Sequence, residues 1–455
     1  MRTPKRMEAV LQPSAEHPGY WSYRGETTLL VGGSREDNLF QIDGLQTHLD
    51  TLARAGGNYI RNTMSDRDEG NVYAFDRCTG GAHVGKYDLD RWNPEYWRRF
   101  TTLLDLCAER NIVVQIELWD RFDVSREPWR SHPWNPCNNV TYTEEQTGLA
   151  PEYPEHPSTN LQPFFHTVPA MDDNALLRGY QERFVDKVLS ISLRYPNVLY
   201  CMNNETHENP TWGSYWLDYI RRRAHEAGAP VIATDMFDGP WETGIPQAVL
   251  DQFRTPEIYP FIDVSQINAW RCTTERHILN LRSLCELNRD PKRPLNCTKV
   301  YNSDTLPDRT AARHTDRDGI TAFWLNLLGG CASARFHRPP HGLGLSAKAQ
   351  ASIRTVREVE KLVRFWELRP DFDWTGGRGA TEAFLARTGD ETALVLLPFG
   401  GGFELRGALP EGRYGIDVRD LATGGSEGVR TTELHADARV EVQGGEPTLV
   451  VLKRR

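Results

Sequence analysis

The sequence predicts a (β/α)8 TIM barrel followed by a small antiparallel β-sandwich. Two observations predict the barrel: eight short apolar runs typical of buried strands, and eight amphipathic helical stretches that alternate with them. A third observation predicts the sandwich, because helical periodicity ends near residue 370 and strand-like runs between glycine-rich turns follow it. We therefore expect a barrel domain at residues 1–370 and a sandwich domain at residues 371–455.

The predicted strands and helices alternate along the whole barrel region. The strands lie at residues 28–31, 58–62, 112–118, 198–202, 231–235, 261–266, 295–300 and 332–337. The helices lie at residues 44–55, 94–110, 175–195, 212–227, 246–253, 274–289, 318–328 and 347–366. Local signals support these bounds, since Asn93 is a capping residue before Pro94, and Gly228 can end the fourth helix in the left-handed conformation. Eight strands and eight helices are the numbers found in a closed (β/α)8 barrel, whereas an open doubly wound sheet does not require these numbers.

The connection after the third strand is unusually long, at residues 119–174. Long connections without regular structure are usually either binding loops or disordered segments. This one is rich in aromatic residues, including Trp129, Trp134 and Phe164, which is not typical of disorder. We expect an ordered loop beside the barrel mouth. The C-terminal strand runs, at residues 393–397, 414–418, 440–443 and 448–452, carry no binding motif, and we expect that domain to support the barrel.

Charge and hydropathy exclude two classes of partner. The formal net charge is −9 and no Lys/Arg-dense stripe is present, so no nucleic-acid partner is predicted. No apolar run reaches the roughly 18 to 20 residues of a membrane span, so no membrane association is predicted either. The first 16 residues are polar and lack the apolar run of a secretory signal. We expect a cytoplasmic protein as the chain stands, or a secreted or periplasmic one if a leader was trimmed.

Polar residues gather where the predicted strands end. The C-terminal ends of the strands form the working face of such a barrel. The charged, amide and hydroxyl side chains expected there belong to Arg61, Glu117, Asn204, Glu205, Asp235, Gln266, Lys299, Tyr301, Arg335 and His337. Burying so many polar groups is costly unless they satisfy one another or bind a polar ligand. Trp119, Trp241 and Trp270 lie in or beside the connections, where aromatic faces can stack on sugar rings. These polar and aromatic side chains suit a carbohydrate substrate.

The end of the fourth strand carries a short motif. Residues 198–205 read Val-Leu-Tyr-Cys-Met-Asn-Asn-Glu, which resembles the Asn-Glu signature of glycoside hydrolase clan A, the group of cellulase-like retaining barrels. In that group the Glu is the acid/base and the Asn before it contacts a sugar hydroxyl, which implies these roles for Glu205 and Asn204. Arg61 is similar to an arginine that many of these enzymes carry on the second strand. The two-domain layout resembles that of apiosidase-like and cellulase-like glycoside hydrolases.

The seventh strand departs from this pattern. Clan A enzymes have their nucleophilic Glu at its end, where this chain has Lys299, and a lysine cannot be that anionic nucleophile. Cleavage of a glycosidic bond needs two carboxyl groups. With Glu205 as the general acid or acid/base, we expect the base or nucleophile to be Asp235 first and Glu117 second, with Asp263 and Asp238 in reserve.

Three other functions stay open at this point. A catalytically inactive barrel that binds carbohydrate would explain the missing seventh-strand Glu. A carbohydrate-active enzyme of another reaction type, such as a lyase with Lys299 or Tyr301 as base, fits the same set of side chains. A metal-dependent barrel hydrolase is the weakest alternative, because the thirteen histidines are scattered and form no H-x-H or H-E-x-x-H motif. We therefore expect no metal and no cofactor.

Overall fold

A closed barrel of eight parallel strands forms the first part of the chain. The computed structural model describes residues 10–157, 160–207, 209–307, 314–379 and 381–455, so residues 1–9 of the polar N-terminal stretch lie outside it. The barrel strands are β1 (Leu30–Gly33), β2 (Tyr59–Thr63), β3 (Val113–Asp120), β4 (Val198–Asn204), β5 (Ala233–Thr234), β6 (Ile262–Asp263), β7 (Leu295–Val300) and β8 (Ser333–Phe336). They pair in the order β2-β3-β4-β5 and β6-β7-β8-β1.

Hydrogen bonds at both seams join these half-barrels into a cylinder. The Asn58 backbone N–H donates to the Val31 carbonyl at 2.9 Å, between β2 and β1. The Thr234 hydroxyl donates to the Phe261 carbonyl at 2.8 Å, between β5 and β6. The predicted barrel is confirmed. The first strand begins two residues later than predicted and continues through Gly32 and Gly33. At Gly32 the absence of a Cβ atom lets the Tyr59 backbone of the neighbouring β2 approach closely.

Eight helices surround the strands in the predicted order. They are α1 (Leu45–Arg54), α2 (Pro94–Glu109), α3 (Ala175–Ser192), α4 (Thr211–Glu226), α5 (Gln247–Arg254), α6 (Thr274–Leu287), α7 (Asp316–Leu328) and α8 (Ala347–Glu360). The Asn93 side chain accepts a hydrogen bond from the Glu95 backbone N–H and so caps α2. The last helix ends at Glu360, six residues before the predicted end. Within the described ranges, no helix has the length and apolar content needed to cross a membrane.

The long connection after β3 is ordered in the residues that the structure describes. It contains the short helices Arg126–Ser131 and Glu144–Thr147. Phe164 from this connection packs edge-on against Trp119 of β3, with ring centroids 5.6 Å apart. Trp119 also contacts Trp212 and Trp216 of α4, at 5.9 and 5.2 Å. This aromatic cluster fixes the connection to the barrel wall beside the mouth.

Antiparallel strands form the C-terminal part. They are β9 (Arg369–Asp371), β10 (Phe384–Thr388), β11 (Thr392–Leu397), β12 (Phe403–Glu404), β13 (Gly412–Asp420), β14 (Ser426–Leu434), β15 (Arg439–Val440) and β16 (Thr448–Arg454). Six of them form one sheet in the order β9-β10-β11-β16-β13-β14, and β12 pairs with β15. The sandwich architecture is confirmed.

The central strand β11 shows how the sheet joins the barrel. Its side chains alternate between faces, as in any strand. Leu394 and Leu396 belong to the barrel's apolar core, whereas Val395 and Leu397 belong to a second core that Phe403 of β12 also enters. The sheet therefore packs one face on the barrel and covers the other with the β12–β15 pair. We propose that the second domain begins with β9, at the division expected from the sequence.

Candidate active site

Glu205 lies directly after β4, at the mouth of the barrel. Its φ angle is +61°, a conformation that is uncommon for residues other than glycine. Such backbone strain costs on the order of 1 to 3 kcal/mol and is found mostly at functional sites. The Glu205 side chain is 18% exposed, so it is held within the mouth and still reaches solvent. The backbone geometry thus supports a functional role for this carboxyl group.

Polar side chains from β6 and β7 surround one oxygen of this carboxyl group. Lys299 Nζ donates to Glu205 Oε1 at 2.5 Å and to Asn204 Oδ1 at 2.6 Å. Gln266 Nε2 and the Tyr301 hydroxyl donate to the same Glu205 oxygen at 2.9 and 3.2 Å. Three donors on one oxygen stabilise the charged form of a carboxyl group.

Two cations decide the ionisation of Glu205. Burial alone would raise its pKa, but the charges of Lys299 and Arg121 outweigh burial and hold the pKa well below its usual range. Lys299 is 1% exposed, so this ion pair is shielded from solvent. Glu205 is therefore an ionised carboxylate in the resting structure. An ionised carboxylate at this position can act as a nucleophile or as a base.

Arg121 joins Glu205 to a second carboxylate. Its Nη2 atom lies 2.6 Å from Asp238 Oδ2 and 3.5 Å from Glu205 Oε2. The two carboxylate oxygens can be no farther apart than the sum of these distances. The Asp238 side chain is 35% exposed, so it faces the open part of the mouth. Asp238 was only a reserve among the sequence candidates, and Arg121 was missed although it directly follows β3.

Asp235 and Glu117, the carboxyl groups expected to act with Glu205, are both buried. Asp235 is 0% exposed and accepts hydrogen bonds from the Asn203 side chain and from the Asn203 and Met236 backbone N–H groups. Burial raises its pKa to about 7. Glu117 is also 0% exposed and accepts from Arg61 Nε at 2.9 Å and Arg61 Nη2 at 2.5 Å. Both side chains lie inside the barrel wall, and neither has an exposed oxygen for a substrate.

A buried ion network lies under the β1–β2 side of the mouth. Arg61 Nη1 donates to Asp37 Oδ1 at 2.6 Å, and Arg338 Nε donates to Asp37 Oδ2 at 2.8 Å. Burial would raise the Asp37 pKa, but the charges of Arg61, Arg338 and Arg335 outweigh it and hold the pKa well below its usual range. Sequence reasoning missed Asp37, which follows β1 and had no recognisable motif.

Arg335, His337 and Asn204 complete this framework. Arg335 is fully buried, and its guanidinium donates to the Thr298 carbonyl at 2.7 Å. Burial holds the His337 pKa well below its usual value, so this ring is neutral, and it packs 4.9 Å from the Tyr301 ring. Asn204 Nδ2 donates to Asp120 Oδ2 at 2.9 Å, while its oxygen accepts from Lys299 and Arg61. The structure thus places these predicted residues together at the mouth, mainly as supports for Glu205.

The three predicted tryptophans occupy different environments. Trp119 is 4% exposed within the aromatic cluster, and Trp241 is 1% exposed. Their burial argues against direct stacking on a sugar, because both faces of each ring are covered by protein. Trp270 is half-buried and lies 5.4 Å from the His341 ring. Of these three, Trp270 alone keeps an accessible surface for a ligand.

Comparison with solved structures supports the fold. A glycoside hydrolase family 5 structure from Bacteroides vulgatus ATCC 8482 is 12% identical, with a TM-score of 0.64 over 100% of this chain and 96% of that chain. A structure described as a glycoside hydrolase is 11% identical, with a TM-score of 0.65 over 100% of this chain and 99% of that chain. No family model and no curated protein matches the sequence. The chain therefore has a clan A-like glycoside hydrolase fold, consistent with the resemblance at β4.

Proposed function

We propose that this protein is a glycoside hydrolase that cleaves a glycosidic bond of an oligo- or polysaccharide at Glu205 and Asp238. The observation that carries the proposal is the Arg121 bridge between an ionised, enclosed Glu205 and a more exposed Asp238 at the barrel mouth. Two carboxyl groups across the bond are what this reaction needs. Both similar structures reported above are described as glycoside hydrolases, which supports the same assignment.

The spacing of the two carboxylates favours the retaining mechanism. Retaining enzymes separate the carboxyl groups by about 5 to 5.5 Å, and inverting enzymes separate them by about 6.5 to 9.5 Å to admit a water molecule. The Arg121 contacts, at 2.6 and 3.5 Å, hold Asp238 Oδ2 and Glu205 Oε2 against one guanidinium nitrogen, which favours the narrower arrangement. We therefore assign Glu205 as the nucleophile and Asp238 as the acid/base.

The reaction then proceeds in two displacements. In the first, a Glu205 oxygen forms a bond to the anomeric carbon while the bond to the leaving oxygen breaks, and the Asp238 carboxyl group transfers a proton to that oxygen. In the second, Asp238 takes a proton from water, and the resulting hydroxide displaces Glu205 from the anomeric carbon. Lys299 and Tyr301 keep the nucleophile ionised and oriented between turnovers. Gln266 and Trp270 are the proposed contacts for the sugar.

A screen with matched variants tests this proposal. The wild-type chain is assayed on para-nitrophenyl glycosides of neutral hexoses and pentoses in both anomeric forms, and on short oligosaccharides. We expect turnover of at least one substrate, a loss of more than a hundredfold in kcat for Glu205→Gln, and a retained anomeric configuration by NMR. Glu242→Gln, at an exposed position of the β5–α5 connection, is the matched control and should keep full activity. Turnover that survives Glu205→Gln would contradict the proposal.

A sugar-binding barrel without activity is the second candidate. The observation that favours it is the close Lys299–Glu205 ion pair, which neutralises the carboxylate that would attack the substrate. Calorimetric titration with the same oligosaccharides separates the two functions. A binding protein would bind sugar in the wild-type form, turn over no substrate, and keep its affinity in Asp238→Asn.

A further inference from the structure

A group of three potential metal ligands lies beside the mouth, outside the Glu205 site. Asp66 follows β2, and Asp123 and His132 lie in the long connection after β3. One ligand atom from each side chain lies within 4.8 Å of the other two, and all three residues are buried. His132 Nε2 is 2.9 Å from Asp66 Oδ1. Two carboxylates and an imidazole at such distances can share one coordination sphere.

Two independent features indicate that this group can accept a cation. A cavity of about 30 Å³ adjoins it, lined by Asp66, Asp123 and His132 together with apolar side chains such as Met64 and Trp134. A cavity of this size holds a single water molecule or ion. The Asp66 side chain is 7% exposed, and in the described part of the chain its Oδ1 atom has no neighbouring donor other than His132 Nε2, 2.9 Å away. A carboxylate oxygen carries two lone pairs, so Asp66 Oδ1 can still accept a cation.

The protein charges around the group are incompletely balanced. Arg67 is the nearest cation, and it hydrogen-bonds Asp120 while its Nη1 atom stays 3.6 Å from Asp123 Oδ1. One Ser65 hydroxyl donates to Asp123, at 2.6 Å. A small cation in the cavity would supply the positive charge that these carboxyl groups need.

We propose that Asp66, Asp123 and His132 bind one divalent first-row transition-metal cation, of which Mn²⁺ and Zn²⁺ are the best matches. Mixed carboxylate and imidazole ligands suit these ions better than Ca²⁺, which takes oxygen ligands. The cation connects the β2–α2 connection to the long connection after β3. It thereby fixes Asp120, which contacts both Arg67 and Asn204. The expectation of no metal rested on the absence of a closely spaced histidine motif, which a site built from two connections does not need.

Coordination by His132 requires one local change. The Trp134 backbone N–H donates to His132 Nδ1 at 3.3 Å, so in the cation-free ring the proton lies on Nε2. Binding a cation through Nε2 moves that proton to Nδ1 and removes the Trp134 contact. This contact is longer than most N–H···N or N–H···O bonds, so little is lost when it breaks.

Titration of the whole chain with Mn²⁺ tests this site. After treatment with a chelator, calorimetry should show one Mn²⁺ bound per chain, and Mn²⁺ should raise the Tm because it binds the folded form. Asp123→Asn and His132→Gln should each weaken binding more than tenfold and abolish the Tm increase. The matched control is Asp172→Asn, an exposed acidic residue of the same connection, which should bind as the wild type does.

The outcomes separate this site from the proposed active site. Circular dichroism of the chelator-treated variants establishes that they are folded before any loss of binding is interpreted. A wild-type chain that binds no Mn²⁺ and no Zn²⁺, or variants that bind as tightly as the wild type, would overturn the proposal. Because the experiment measures cation binding, its result does not depend on whether the protein hydrolyses glycosides.

Discussion

Replacing Lys299 by Met tests the electrostatic basis of the site. The substitution removes the charge, keeps a side chain of similar length, and leaves Arg121 beside Glu205. At an effective dielectric constant of about 20, two unit charges about 4 Å apart interact by roughly 4 kcal/mol. One pKa unit corresponds to about 1.4 kcal/mol, so the lost interaction equals about three units at most. Because Glu205 is partly exposed, we expect its pKa to rise by about 1 to 3 units.

The assay is a carboxyl ¹³C NMR titration of the wild type and of Lys299→Met, with Glu205→Gln used to assign the resonance. In the wild type the Glu205 resonance should stay in its ionised position down to strongly acid pH, whereas in Lys299→Met it should titrate at a clearly higher pH. Lys361→Met, which removes a charge from an exposed position after α8, is the control and should leave the titration unchanged. A Glu205 pKa that does not rise in Lys299→Met would refute the assignment of Lys299 as its main counter-ion.

Three further predictions concern stability, each measured by chemical denaturation. Asp235 has a folded-state pKa of about 7 against the ordinary 3.8 of an aspartate, so the folded chain retains a proton that the unfolded chain loses, and this group lowers stability as pH rises between about 4 and 7. Asp235→Asn should remove that part of the pH dependence of the unfolding free energy, and an unchanged profile would contradict the reasoning. Gly32→Ala places a Cβ atom 1.8 Å from the Tyr59 carbonyl oxygen. Gly32→Ala should lower the free energy of unfolding by about 1 to 3 kcal/mol or more. Gly80→Ala, at a position with open space around it, should lower the free energy of unfolding far less. Trp119→Ala should lower stability by about 3 to 5 kcal/mol, and a loss confined to sugar affinity would instead support the stacking role.

The barrel was predictable because its signals are local. Runs such as the one around Val113–Asp120 are rich in apolar residues over a strand's length, and caps such as Asn93 mark where helices begin. The position of Glu205 followed from the same pattern, since the end of a parallel strand is also the edge of the mouth. The first strand was less clear, because Gly32 and Gly33 carry no apolar side chain to signal it.

The partners of Glu205 were harder to predict because they depend on connections of irregular shape. Asp235 and Asp238 differ by only three positions, yet the first points into the wall towards α4 and the second reaches Arg121. Backbone turns determine which of two nearby carboxylates reaches the mouth, and the hydrophobic periodicity of the sequence does not predict those turns. The same holds for Asp37, and for Trp119 and Trp241, whose burial results from packing between distant segments.

Covalent labelling tests the central claim most directly. The chain is incubated with the 2-deoxy-2-fluoro glycosyl fluoride that corresponds to an aryl glycoside it turns over, and the modified peptide is sequenced by mass spectrometry. We predict one glycosyl group attached to Glu205, and accumulation of the adduct at unchanged or higher level in Lys299→Arg. A label on Asp238, Asp235 or Glu117, or turnover with inversion and no adduct, would contradict the assignment of Glu205 as the nucleophile.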